Sequence, residues 1–308
     1  MAQETSIASQ SPHFLGAWKA VEMDVSDLES GLKSVASGGH ILNCQEVSGL
    51  QAGLALLKSQ EQFMKICFWG KVFGMTADYY IAYGLRSGDF EFPTKHFYFA
   101  SKDFQFGPLA PPTAEEAAKI VELCGDKPLT GVASTGLEPP KEGEEEAPPE
   151  DEEGAPAQEG PKKLTEADRL AQLVIGEIDF DTAVVPRGSY TMDESHMVVP
   201  SADFKGLSSS DATALTSYAH FRAPVSIAAL RTLARKDAQI HSSSILDGIA
   251  EDQPKGCWAV RKDPTMDLVT LRSLTWPGYI AFHVPDTKKF GSLYFGNAQK
   301  EVNLPFLL

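Results

Sequence analysis

The chain has 308 residues, 43% of them apolar, which is enough for one large or two small cores and lies above the range of disordered chains. Lys and Arg number 27 against 42 Asp and Glu, a net charge of -15, so phosphate backbones and anionic lipid heads are repelled. Nucleic acid and membrane are therefore excluded as expected partners, and a basic protein surface is favoured.

Met1 to Gln10 is polar and lacks the basic and apolar regions of a signal peptide, and no apolar run reaches membrane-span length. Cys44, Cys67, Cys124 and Cys257 are scattered without a C-x-x-C pair. That usage suits free thiols in a reducing compartment, acting as small buried hydrophobes. The expected location is the cytoplasm.

Ser26 and Glu29 have capping-box spacing, with Leu28, Leu32 and Val35 following at helical intervals. Asn43 with Glu46 opens a second helix whose buried stripe is Val47, Leu50, Leu54 and Leu57. Gly49 and Gly53 within it read as a close-packing pair or as chance. The period then changes. Ile66 to Phe73 reads as a strand, 74–77 as a turn, and Asp78 to Tyr83 as a returning strand with Tyr79, Ile81 and Tyr83 on one side. His96 to Ala100 is a third strand. Thr113 caps a short helix that Gly125 stops.

Leu137 to Gly160 is built of Glu, Pro, Gly and Ala with almost nothing apolar, the composition of a disordered acidic loop. It is either an electrostatic docking element or a solvated insertion. Beyond it, Thr165 with Asp168 starts a helix running to about Ile175. Thr182 to Val185 is a short strand ended by Pro186-Arg187-Gly188. Ser208 with Asp211 caps another helix, with Ala212, Leu215 and Ala219 inward, until Pro224 ends it. A weaker helix covers Ile227 to Ala234. Four strands close the chain: Gly256 to Arg261, Leu268 to Thr275, Tyr279 to Val284 and Gly291 to Phe295. Pro277-Gly278 suits the centre of a type II turn. Ile280, Phe282 and Val284 share one face and can meet Leu293 and Phe295 across the ladder. Links this short force antiparallel pairing. The fold class is α+β, with antiparallel sheets, flanking helices and the long acidic loop. Its expected divisions are 1–135 (helices and hairpin), 136–163 (the loop) and 164–308 (α+β ending in the meander). A lone hairpin is too small to be stable, so 1–135 and 164–308 are expected to share one core.

Chemistry-bearing motifs are missing. There is no phosphate-binding glycine loop, no dinucleotide fingerprint and no G-x-S-x-G elbow. The histidines (His13, His40, His96, His196, His220, His241, His283) form no H-x-H or H-x-x-x-H pair. His283 reads as solvent-facing and His220 as a helix-end residue. Capping explains the serines at 208–210. No catalytic residue, metal or cofactor is expected. Trp69, Tyr79, Tyr80, Tyr83, Trp258 and Trp276 fall in the strands, where they serve core packing or an aromatic interface. Phe306, Leu307 and Leu308 end the chain in an apolar tail, which should dock on its own domain or on a partner. Trp69, Tyr79, Tyr80, Trp258, Trp276, Phe306, Leu307 and Leu308 are thus the candidate packing or interface residues.

Four strings occur in order: 68–74 (Phe68-Trp69-Gly70 onward) running into Ala77-Asp78-Tyr79-Tyr80-Ile81-Ala82; Ala183-Val184-Val185-Pro186-Arg187-Gly188; Pro254-Lys255-Gly256-Cys257-Trp258; and 271–278, ending Trp276-Pro277-Gly278. Together they resemble the radial spoke head proteins of cilia and flagella. The likeness covers most of 60–105 and 164–308, with Tyr218 to Val225 resembling a family helix ending. It implies a structural subunit of the axonemal spoke head, without catalytic residues, that helps relay central-pair contact to dynein. The implied partners are other spoke head proteins of the 4 and 6 types and further head and stalk subunits, with paired copies in a two-fold head. A shortened paralogue of types 4 or 6, an adaptor working through the acidic loop, and an enzyme with a non-local site are the rival readings.

Overall fold

The computed structural model of the protein describes residues 28–39, 41–63, 65–85, 92–125, 127–138, 163–193, 195, 197–233 and 245–307. Ser26, the acidic stretch after Glu138 and Leu308 lie outside them.

Helix α1 (Leu28–Val35) turns Leu28 and Val35 inward. Helix α2 (Cys44–Glu61) starts with the reciprocal cap its sequence predicts: Glu46 N donates to Asn43 Oδ1 (2.8 Å) and Asn43 N donates to Glu46 Oε2 (2.7 Å). Leu50, Leu54 and Leu57 are buried along it. A side chain added at Gly49 would run into the Phe104 ring, and one at Gly53 into the Phe104 carbonyl, so this pair does serve close packing.

Strands β1 (Lys65–Val72), β2 (Tyr79–Leu85), β3 (Lys95–Ala100) and β4 (Gly107–Leu109) form an antiparallel meander. Helix α3 (Ala114–Cys124) follows, capped by Thr113 and Glu116 and ended at Gly125, whose φ is +48°. Helix α4 (Glu166–Ala171) runs on as a π-helical stretch, Gln172–Asp179, and a last turn, α5 (Phe180–Thr182). Next come β5 (Val184–Pro186), β6 (Tyr190–Met192), β7 (Val198–Pro200), β8 (Tyr218–His220) and α6 (Ile227–Leu233). Strands β9 (Trp258–Asp263), β10 (Leu268–Ser273), β11 (Tyr279–His283) and β12 (Phe290–Gly296) make a second meander, and α7 (Leu304–Leu307) ends the described chain.

The two meanders join edge to edge in one eight-stranded sheet ordered β4-β3-β2-β1-β12-β11-β10-β9. All its pairings are antiparallel except β1 with β12, which run parallel through Gly70↔Tyr294, Lys71↔Phe295 and Val72↔Gly296. Strands β5 with β8 and β6 with β7 form two small sheets. The class is α+β. Both faces of the large sheet are covered. On one, α1 and α2 bury Phe68, Tyr80, Ile280, Phe282, Leu293 and Phe295. On the other, Leu170, Val174 and Ile178 of the long helical run pack on Trp69, Tyr79, Leu271 and Tyr294.

A register shift between Phe68 and Gly70 of β1 organises both faces. Unbroken alternation would put Phe68 and Val72 on the same side. The bulge changes the phase, so Phe68 joins the α2 face while Trp69 and Val72 join the other.

Four sequence expectations are corrected. Residues 208–223 are not a helix: two 3₁₀ turns, Asp211–Thr213 and Leu215–Ser217, lead into strand β8, so Tyr218 to Val225 is not a helix ending. The Ser208–Asp211 cap exists, with Asp211 N donating to Ser208 Oγ (3.1 Å). However, the Tyr218 hydroxyl donates to the Ala212 carbonyl (2.8 Å), the acceptor that a continuing helix would offer to residue 216. His220 consequently lies in a strand and is buried. His283 is fully buried too, because with both faces covered alternation no longer marks a solvent side. The helix from Glu166 also passes Ile175 and ends at Thr182, taking the first residue of the strand expected there. Cys44 is exposed, against the expectation of a buried hydrophobe, whereas Cys67, Cys124 and Cys257 are buried.

Candidate functional site

The aromatic residues that stand out in the sequence are placed inside the fold. Trp69, Tyr79, Trp258 and Trp276 share the face under the long helical run, and Tyr80 lies on the opposite face. None is more than 7% exposed. Each carries one polar atom into the core and needs a partner for it there.

The partner is an acid in every case. Trp69 Nε1 donates to Asp179 (3.1 Å), Trp258 Nε1 to Asp252 (2.7 Å) and Trp276 Nε1 to Asp181 (2.9 Å). Each acid also takes a second, basic donor: Lys95 on Asp179 (2.6 Å), His220 on Asp252 (2.9 Å) and Lys300 on Asp181 (3.1 Å). Lys300 lies over the Trp276 ring at 5.3 Å, adding a cation–π contact. The π-helical stretch and the turn after it supply Asp179 and Asp181, so one helical run clamps indoles at two places on the sheet.

The tyrosines repeat the arrangement. Glu166, 2% exposed, receives the Tyr79 hydroxyl (2.8 Å), Thr130 N (2.9 Å), Thr130 Oγ1 (2.7 Å) and Gly131 N (2.7 Å). Burial pushes this carboxyl up, but the donors from Thr130, Gly131 and Tyr79 outweigh it and hold it below the usual carboxylate value. Burial, helped by Glu166, raises the Tyr79 phenol well above its ordinary value. On the other face Tyr80 donates to Glu46 (2.7 Å), and Lys71 reaches Glu46 (2.8 Å) and Asp78 (2.9 Å). Burial and Glu46 push the Tyr80 phenol up to about 12.

These acids are acceptors already engaged, which suits a rigid frame better than proton transfer. A cleft of about 400 Å³ near α7 is lined by Asp181, His220, Asp252, Trp258, Trp276 and Lys300, the members of two clamps. Among the described residues no group of three His, Cys, Asp or Glu could hold a metal ion, and no helix is long and apolar enough to cross a membrane. Sequence reading missed Asp179, Asp181, Asp252 and Glu166. In a chain with 42 acids, single carboxylates carry no signal until the fold brings an indole or phenol to them.

The C-terminal tail is split. Leu304 is 5% exposed and packs in the core with Trp276, whereas Phe306 is 86% and Leu307 72% exposed. Leu308 lies outside the described residues.

The acids of this framework are thus engaged internally, and its last described turn holds Phe306 and Leu307 outward. The family model for radial spokehead-like protein matches residues 16–203, and the chain belongs to this family of axonemal radial spoke components of cilia and flagella. Its curated relatives include the radial spoke head protein 9 homologs of Homo sapiens and Bos taurus, each 35% identical over 291 residues. The homolog of Danio rerio is 32% identical over 291 residues. In all three the alignment spans 93% of this chain and 100% of the relative.

Proposed function

We propose that the chain is a non-catalytic scaffold of the axonemal spoke head, placed as the protein 9 homologs are named. It packs, in paired copies, with head proteins of the 4 and 6 types and with further head and stalk subunits. Through them it helps pass central-pair contact to the dyneins. The observation that carries this reading is the tail: Leu304 fixes α7 to the core while Phe306 and Leu307 stand in solvent at 86% and 72% exposure. Apolar side chains held out rigidly are what a partner surface buries. Relatives named as protein 9 homologs over 93% of the chain favour this place over a shortened paralogue of types 4 or 6.

The test is affinity purification from demembranated flagella, comparing the full chain with the double variant Phe306→Ser/Leu307→Ser. Removing the tail from Leu304 onward would also take out a core anchor, so the exposed pair is the cleaner change. The full chain should bring down other spoke head proteins, and the variant, with an unchanged unfolding midpoint, less than a tenth as much. A full chain recovered alone as a monomer overturns the reading.

A further inference from the structure

The eight-stranded sheet has two edges, and they are closed to different degrees. Strand β4 is three residues long with Pro108 at its centre, so it offers little to a further strand. Strand β9 is six residues long and has no proline. Its pairing with β10 shows which way its main chain points. Leu274 N donates to the Cys257 carbonyl (2.8 Å), so every second residue from there, Ala259, Arg261 and Asp263, bonds to β10. Trp258, Val260 and Lys262 therefore turn their N–H and C=O groups outward. The 3₁₀ turn Asp211–Thr213 lies near this strand, and Lys262 donates to the Ser209 hydroxyl. Among the described residues, however, no backbone hydrogen bond closes the edge.

Two arginines stand beside this edge. Positions 259 and 261 of β9 and 270 and 272 of β10 share the face of the sheet that α1 and α2 cover further in. Arg272 is half-buried, and its Nε is shielded from solvent with no acceptor. Arg261 is exposed and lies diagonal to it across the ladder. Ala259, directly opposite Arg272, is too small to fill the space between that guanidinium and the edge. The nearby acids are taken: Asp263 accepts Thr265 N (2.9 Å), Asp267 pairs with Lys262 (3.8 Å), and Asp252 holds Trp258 and His220. Neither arginine has a carboxylate among the described residues. A shielded guanidinium nitrogen without an acceptor carries its desolvation cost unrelieved, so an acceptor laid on it gains more than at an exposed base.

We propose that β9 accepts an extended acidic segment of another protein, which adds to the sheet edge as a further strand and sets a carboxylate against Arg272 and Arg261. Open main-chain groups call for another main chain, and the arginine fork fits a carboxylate. A second copy is disfavoured, because antiparallel pairing of β9 with itself brings Arg261 and Lys262 against the same residues. The local charge is the reverse of the whole chain's. A net charge of -15 repels acidic chains at long range, so charge alone does not hold the segment and the edge hydrogen bonds must form as well.

The test uses the full chain and a synthetic peptide of about eight residues alternating Glu with Val. Binding should slow amide exchange at Val260 and Lys262, while Ala259 and Arg261, already bonded to β10, change little. Arg272→Met, which keeps the buried stem, should weaken binding about tenfold with an unfolding midpoint unchanged or higher. Arg261→Gln should weaken it about threefold. Methylating every second peptide nitrogen should abolish binding in one of the two phases and spare it in the other, since only one set faces β9. The inference is overturned if ~1 mM peptide leaves Val260 and Lys262 exchange unchanged, or if Arg272→Met binds as tightly as the unaltered chain. Equal binding of the two methylated peptides, or of a peptide with Lys in place of Glu, overturns it too, as does a dimer that protects the edge without any peptide. These measurements are made on the chain alone, so each such failure leaves the assembly reading standing.

Discussion

Glu166 and His283 are buried polar residues that fail on acidification at different pH values. Four donors converge on Glu166, so Glu166→Ala, which leaves the Thr130 and Gly131 amides without an acceptor, should cost about 3 kcal/mol. Its folded pKa is depressed, so its stabilisation is complete above the unfolded value near ~4.3 and is lost as pH falls below that. His283 sits between two backbone groups: Leu207 N donates to Nε2 (3.1 Å), and Nδ1 donates to the Lys289 carbonyl (3.0 Å). Only the neutral ring fits, because a proton on Nε2 would face the Leu207 N–H. Burial lowers its pKa, so its contribution is complete above ~6.5 and falls away as pH drops further. Urea unfolding should therefore show a lower midpoint at pH 5.5 than at pH 7.5. His283→Asn should be weaker at pH 7.5 but change less between the two, and an equal change in both proteins would rule out His283 as the source.

At the level of elements, local signals were legible and long-range ones were not. The caps at Asn43, Thr113 and Thr165 and the turn at Gly278 are decided by neighbouring residues, and they lie where the sequence puts them. The final meander is likewise spelled out by alternation and short links. Strand β8 is not, because a tyrosine hydroxyl taking the Ala212 carbonyl cannot be read from periodicity. The candidate aromatics were legible as residues, but not the acids that hold them, since the fold alone brings Asp179 to Trp69 and Asp252 to Trp258. For α2 the consequences are measurable. Asn43→Ala removes the cap and should cost about 1 kcal/mol. Gly53→Val should cost more, about 1–3 kcal/mol, because its new side chain meets the Phe104 backbone and a flexible neighbour cannot relieve the clash. Thermal unfolding of the two variants side by side checks the order, and a harmless Gly53→Val would mean that α2 does not sit as closely on Phe104.

For the whole molecule the critical joint is the parallel pairing of β1 with β12, where a meander from each end of the chain meets the other in one sheet. Gly70 lies at this joint. A Cβ there would stand 2.8 Å from the Tyr294 amide nitrogen and 2.9 Å from its carbonyl carbon, distances that packed atoms do not tolerate. Because β1 and β12 also share the buried clusters on both faces, neither meander has a core of its own to retain once the joint opens. Gly70→Val should accordingly lower the midpoint for the entire protein in a single step, with tryptophan fluorescence and far-UV circular dichroism shifting together. Two separated transitions would show that residues up to 135 and residues from 164 fold as independent units.

The acidic stretch offers the complementary excision. Its ends are held side by side: Gly136 bridges Thr165, and Leu137 N donates to the Leu164 carbonyl (3.0 Å). A gap closed by backbone hydrogen bonds at its base can be spanned by a short linker without moving either flank. Replacing residues 139–162 with about six Gly and Ser residues should therefore keep the circular dichroism spectrum and the unfolding midpoint. Co-purification with other spoke head proteins then separates two kinds of partner contact. Retained binding assigns assembly to the folded surfaces, such as that of α7. Lost binding in a protein that is still folded makes the acidic stretch the docking element, with the sheet serving only to hold its two ends together.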